Sequence, residues 1–245
     1  MKRQRVRRAI IFISFLFFPL TIYYLSPVLI VMGAAEGIVA GSLLFFALLF
    51  IGSLFFGRLF CGWLCPAAGM QEACFIINQK PAKGGKADMI KYAIWLPWLI
   101  LIVALFIRVG VVIDIDPFYH IPGGISVSQP GDYFVYYSVT GLILVLALTA
   151  GKRAFCHYVC WMAPFMIIGL KLKKLKLWPS LRLKTSPDLC NDCKRCNKVC
   201  PMSLDVNSLV RSGLENYSEC ILCGSCVDSC PGELIKFSFS RRNGK

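Results

Sequence analysis

Eight cysteines near the end of the chain stand in two runs of identical spacing. Cys190, Cys193, Cys196 and Cys200 precede Pro201, and Cys220, Cys223, Cys226 and Cys230 precede Pro231. Both runs read C-x-x-C-x-x-C-x-x-x-C-P. Thiolates at this spacing are ligands of [4Fe–4S] clusters: three close cysteines wrap one corner of a cubane, and the fourth ligand comes from elsewhere. The proline keeps the cysteine before it out of helical geometry, which helps turn that sulfur away from its own run. Structural zinc asks instead for C-x-x-C pairs separated by a longer loop. Disulfides are disfavoured by the reducing compartment that the charge pattern assigns to this end.

The stretch 190–231 resembles a bacterial two-cluster ferredoxin. That resemblance implies an exchange of the last cysteine between the runs. Cys190, Cys193, Cys196 and Cys230 would then hold one cluster, and Cys220, Cys223, Cys226 and Cys200 the other. Residues 181–184 alternate as a short strand, and 235–239 can pair with them at the far end of the module. The result is a small α+β domain of about 60 residues, in which the clusters supplement a limited core.

Two further cysteine pairs lie upstream, in GRLFCGWLCP (57–66) and KRAFCHYVCW (152–161). Cys61 and Cys65, like Cys156 and Cys160, are spaced i, i+4 and present both sulfurs on one helical face. A basic residue and an aromatic precede each pair, and the second pair follows the first by about 95 residues. The upstream part therefore reads as a tandem repeat. Four soft sulfurs brought together suit an iron–sulfur centre, zinc or Cu(I). Buried reduced thiols and dithiol–disulfide chemistry are the competing readings.

The elements that carry these residues are set by composition. The 245 residues are 57% hydrophobic and 16% charged, with a mean hydropathy of +0.64, too apolar for an ordinary soluble protein. The net charge of +14 is gathered in the head, one loop and the tail, and only Arg108 interrupts a long apolar stretch. That is the positive-inside pattern of a membrane protein rather than a nucleic-acid footprint. Apolar runs at 9–26, 38–56, 92–113 and 134–150 predict four transmembrane helices, arranged as a tandem two-helix repeat. The first is expected to be an uncleaved span rather than a signal peptide. Gly41, Ser42, Gly52 and Ser53 are small residues for close packing of the second span.

The basic head 1–8 and the loop 57–91 should face the cytoplasm. The loop with Asp114, Asp116, His120 and Asp132, free of Lys and Arg, should face outward. The stretch 162–178, with Lys171, Lys173, Lys174 and Lys176, reads as an amphipathic connector at the inner headgroups. Residues 1–178 are thus expected to form an all-α membrane domain with both cysteine pairs at its cytoplasmic face. Residues 179–245 are expected to form a cytoplasmic two-cluster domain.

Paired spans, C-x-x-x-C-P at 61–66, a second such pair and the doubled cluster run together resemble membrane-bound polyferredoxins of the NapH and NosR type. They are also similar to the related membrane protein that reduces copper during oxidase assembly. Members of the family often carry Pro after both pairs, whereas Cys160 is followed by Trp161. The resemblance implies an integral inner-membrane protein that passes single electrons, as one subunit of an oxidoreductase system rather than a stand-alone enzyme. Its cofactors would be two [4Fe–4S] clusters, with a further iron–sulfur or metal centre on Cys61, Cys65, Cys156 and Cys160. Its partners would be a soluble ferredoxin, flavodoxin or dehydrogenase in the cytoplasm, and quinone or a membrane redox subunit. Copper or iron reduction at the membrane cysteines is the alternative.

Other residues carry weaker signals. Cys74 reads as packing. His157, inside the second pair, is placed to ligate, to relay a proton or simply to lie at the interface. His120 with Asp114 and Asp116 reads as a solvated loop, with quinol deprotonation the less favoured role. Glu36 and Arg108 lie near span ends and are expected to reach the interface. No phosphate loop, nucleophile elbow or zinc helix is present in the sequence.

Overall fold

The computed structural model describes residues 2–110, 112–173, 178–213 and 218–240. Helix α1 (Lys2–Leu16) is followed by α2 (Phe18–Thr21) and a 3-10 turn over Ile22–Leu25, the two parts meeting at 62°. Pro19 stands in the first turn of α2. It has no N–H to continue the α1 ladder, so the segment bends there. Helix α3 (Pro27–Glu36) was not expected. Ser26 caps it by accepting from the Val28 and Leu29 amides, and Gly37 ends it in the left-handed region at φ 73°.

A short strand β1 (Ile38–Ala40) leads into α4 (Gly41–Phe56) and pairs in parallel with β2 (Asp114–Asp116). Gly41 is required here, because a Cβ would collide with the Pro117 carbonyl. The expected loop 57–91 is largely folded. It forms α5 (Leu59–Trp63) and α6 (Pro66–Ala73), and Pro66 to Gln71 are all buried. Gly69 lets α6 lie directly on the α1 backbone at Ile11.

Helices α7 (Ile90–Val109) and α8 (Asp132–Thr149) follow, then α9 (Ala154–Tyr158) and α10 (Ala163–Lys173). The last is a correction to the headgroup connector. Met166, Ile167, Gly169 and Leu170 are buried, and α10 packs on α4 with Gly169 against Ser53. A run of mixed apolar and lysine residues folds this way because the apolar face seats in the core, while Lys173 reaches the Leu181 carbonyl. Lys174 and Lys176 lie outside the described residues.

The C-terminal region has α11 (Arg195–Val199), α12 (Val206–Arg211) and α13 (Ser225–Ser229) between two strands. Strands β3 (Ser180–Thr185) and β4 (Ile235–Ser240) pair antiparallel, Leu181 opposite Phe239 and Thr185 opposite Ile235.

Among the described residues two helices are long and apolar enough to cross a membrane, or three if the bent α1–α2 segment counts as one span. Helix α4 has 16 residues, about 24 Å of helix, less than a hydrocarbon core of about 30 Å. Yet four segments connect the same two ends of the molecule. The first begins where Arg3 meets Asp228 and finishes where the Tyr23 hydroxyl donates to Asp132. Helix α4 runs from Pro117 to Leu222, the neighbour of Gly57. Helix α7 runs from its first turn, where Lys91 pairs with Glu219, to Val109, which lies beside Gly37. Helix α8 starts at Asp132 and is followed by Lys152, whose amide donates to Lys80.

Candidate iron–sulfur centres and the cysteine face

Two cavities in the C-terminal region are lined by the two sets of cysteines. One is lined by Cys200, Cys220, Cys223 and Cys226, and the other by Cys190, Cys193, Cys196 and Cys230. Each fourth cysteine has therefore crossed to the opposite run. The local cause is the Cys–Pro junction: Cys200 and Cys230 cap α11 and α13 in extended geometry, with ψ 116° and 115°. Burial, then the nearby Cys223, push the Cys200 thiol up to about 12. Burial likewise pushes Cys220 up to about 11. These thiols give up their protons when iron binds. The cavity of the second run is walled by its four sulfurs and mostly apolar side chains, whereas that of the first run adds Asn191, Lys194, Arg195 and Asn207 to its four sulfurs. Four sulfurs about one cavity fit a cubane.

The two sets differ in exposure. Cys193 is exposed and Leu189 beside it is 74% exposed, whereas Cys200, Cys223 and Cys226 are buried. The second set is covered by the upstream helices. Gly62 abuts the Ile221 carbonyl, the Trp63 indole N–H donates to Leu222 O at 3.2 Å, and the Gln4 amide donates to Cys223 O at 3.0 Å.

Cys61, Cys65, Cys156 and Cys160 come together in one buried core, each 4% exposed. Burial, then Cys61, Cys156 and Cys160 in turn, push the Cys65 thiol well up. In the second repeat Trp161 stands where Pro66 does in the first; its indole donates to Leu25 O at 2.8 Å, and Pro164 becomes the second residue of α10. Among the described residues no three His, Cys, Asp or Glu side chains converge as a single ion would need. That holds for both cavity sets too, since the four thiolates of a cubane sit on separate irons and stand farther apart than ligands of one ion.

Two buried ion triads brace this face. Glu72 joins Arg7 (2.7 Å) and Arg153, and Glu219 joins Arg58 (2.7 Å) and Lys91 (2.7 Å). The basic residue before each pair is thus a structural cation: Arg153 also donates to the Cys61 carbonyl at 2.6 Å. Each triad carries one net positive charge beside the sulfurs. Burial opposes the charge on Glu72, but Arg153 and Arg7 more than offset it and hold the carboxyl below its usual range. Sequence reasoning missed Glu72 and Glu219. Their only local signal was position, Glu219 directly before Cys220 and Glu72 two residues before Cys74.

His157 is 1% exposed, with Nδ1 at 2.6 Å from Asp88 and Nε2 at 3.1 Å from Met202 O. Both ring nitrogens are occupied, so it is a strut between the repeat and the C-terminal region. Cys74 is buried. Asp114 and Asp116 accept from the Ile115 and Phe118 amides and shape the turn that follows β2, and His120 is exposed.

Residues 189–235 match the family described as 4Fe-4S dicluster domain. Residues 39–83 and 133–176 each match a second family, described as 4Fe-4S binding domain. The chain is 26% identical over 186 residues to an uncharacterized protein of Methanocaldococcus jannaschii, covering 73% of this chain and 71% of that one. It is 25% identical to the putative electron transport protein YccM of Escherichia coli, covering 86% of this chain and 60% of YccM. It is 28% identical to the ferredoxin-type protein NapH of Haemophilus influenzae, covering 46% of this chain and 41% of NapH. No solved structure matches. The resemblance to NapH-type polyferredoxins stands, as do the two [4Fe–4S] clusters.

Proposed function

We propose that this is an integral membrane electron-transfer protein in which single electrons pass between a cytoplasmic carrier and a centre at the inner face of the membrane. Residues 1–178 form a four-span membrane domain and 179–245 a cytoplasmic two-cluster domain. The four segments joining the same two ends support the spans. So does the charge: Arg58, Lys91 and Arg153 gather at the C-terminal region's end, and Asp114, Asp116 and Asp132 at the other. The names of YccM and NapH, electron transport and ferredoxin-type, agree with this reading.

Cys190, Cys193, Cys196 and Cys230 would hold the outer cluster, with Cys220, Cys223, Cys226 and Cys200 holding the inner one. When bound, the clusters supply one-electron redox chemistry. The chain provides an apolar wall at the inner set, a more polar one at the outer set, buried cations and a graded exposure. The outer set is open at Cys193 for a soluble donor or acceptor such as a ferredoxin, flavodoxin or dehydrogenase. The inner set is pressed against the first membrane pair. That contact, Gly62 on Ile221, is the observation that carries the proposal. Cys61, Cys65, Cys156 and Cys160 would hold a third centre that exchanges electrons with quinone or a membrane redox subunit.

A second reading is metal handling. The Met166 sulfur lies 3.8 Å from the Cys61 sulfur, and thioether with thiolate is a soft set suited to Cu(I). One experiment separates the two. Iron, sulfide and copper are measured with EPR on anaerobically purified protein and on a variant with Ser at all four membrane cysteines. Two cubanes require about eight irons. Iron above that in the wild type, lost in the variant together with a distinct signal, supports the third redox centre. Equal iron and equal spectra overturn it, and copper lost with the four thiols favours the second reading.

A further inference from the structure

Gln71 is fully buried and is used neither for the ion triads nor for the cluster sets. It lies six residues beyond Cys65 but reaches across to the other pair: its Nε2 is 3.3 Å from the Cys156 sulfur. The amide is locked. Its Oε1 accepts from the Phe155 backbone N–H at 3.1 Å, and Nε2 also donates to Ala67 O at 3.0 Å. With the oxygen committed to an N–H donor, the NH2 group must face the sulfur.

The same position in the second repeat, six residues beyond Cys160, is Met166. It is also fully buried, and it reaches across to Cys61, the first cysteine of the other pair. The two contacts are reciprocal across the repeat, yet chemically different. A thioether has no N–H to offer. Cys61 has the Arg58 guanidinium beside it instead, which only partly opposes the upward push of burial on its thiol.

We propose that Gln71 is a positioning residue that sets the reduction potential of the centre on the four membrane cysteines by donating to the Cys156 sulfur. This rests on the third centre proposed above. A hydrogen bond to a ligand sulfur stabilises negative charge, and reduction adds negative charge, so the donor favours the reduced state.

The test is potentiometric titration with EPR detection on anaerobically purified full-length protein, comparing wild type with Gln71→Met and Met166→Gln. Gln71→Met repeats the residue of the second half, keeps the volume and removes the donor. Its reduction equilibrium at a fixed potential should fall about tenfold, a downward shift of about 59 mV for a one-electron couple. Met166→Gln should move the centre the other way. The two ferredoxin-type clusters should keep their potentials in both variants, which reports an intact fold. A third centre present at wild-type iron content and wild-type potential in Gln71→Met overturns the proposal. If Gln71→Met loses the centre, Met166→Gln decides: an upward shift supports the role and an unmoved potential overturns it. A wild type with no signal beyond two clusters overturns the third centre itself, and this inference with it, before any variant is compared.

Discussion

Gly62 sits so close to Ile221 that a single added methyl group would strike the Ile221 carbonyl oxygen. One residue lies between Cys61 and Cys65; the other lies between Cys220 and Cys223. The first membrane pair and the inner cluster loop are therefore in backbone contact. Gly62→Ala should push them apart, because the obstacle is main chain and cannot rotate away. The expected result is an altered EPR line shape or potential for the inner cluster, with the outer cluster unchanged.

The crossing of the fourth cysteines has its own signature. Cys200 belongs to the first run in sequence but lines the cavity of the second. Cys200→Ser should therefore disturb the inner cluster and spare the outer one, while Cys196→Ser should do the reverse. EPR of the singly substituted proteins distinguishes this from ligation within each run, which would make both substitutions affect the outer cluster.

Glu72 should be a costly carboxylate to neutralise. Glu72→Gln leaves Arg7 and Arg153 buried without their counter-charge, a loss on the order of 3–5 kcal/mol. Arg3→Ala breaks a pair in which Arg3 is 34% and Asp228 18% exposed, and should cost less than about 1 kcal/mol. Thermal inactivation in detergent should rank the two in that order.

The same carboxylate gives a pH dependence. Glu72 is held below its ordinary value of 4.5, so the unfolded chain takes up its proton first as pH falls. Its contribution to stability is complete above about 4.5 and is lost as pH drops through the lower folded value. The wild type should lose thermal stability across that acid window, and Glu72→Gln should show a flatter profile there.

The proposed membrane orientation is tested at the two ends of the fold. Reporter fusions after Gly85 should report the cytoplasm and fusions after Gly124 the outer side. The opposite pattern would place the cysteine face outside and contradict the proposed partners.

The cluster cysteines and the strands 181–184 and 235–239 were legible because short-range spacing and alternation carry them. The repeat was legible because two cysteine pairs recur with their neighbours. Helix α10 was misjudged for a physical reason: hydropathy cannot tell an apolar face packed on α4 from one laid on lipid. Strands β1 and β2 escaped because a three-residue parallel pairing across about 75 positions leaves no local pattern. Glu72, Glu219 and Gln71 act through partners far away in sequence, so only the folded chain reveals them.

The central claim is that the inner cluster lies on the electron path between the cytoplasmic carrier and the membrane cysteines. The most direct test supplies a soluble low-potential donor to a variant with Ser at Cys220 and Cys223, and follows each centre by rapid-freeze EPR. The account predicts that the outer cluster is reduced as in the wild type while the membrane centre stays oxidised. Reduction of the membrane centre at the wild-type rate in that variant would contradict it.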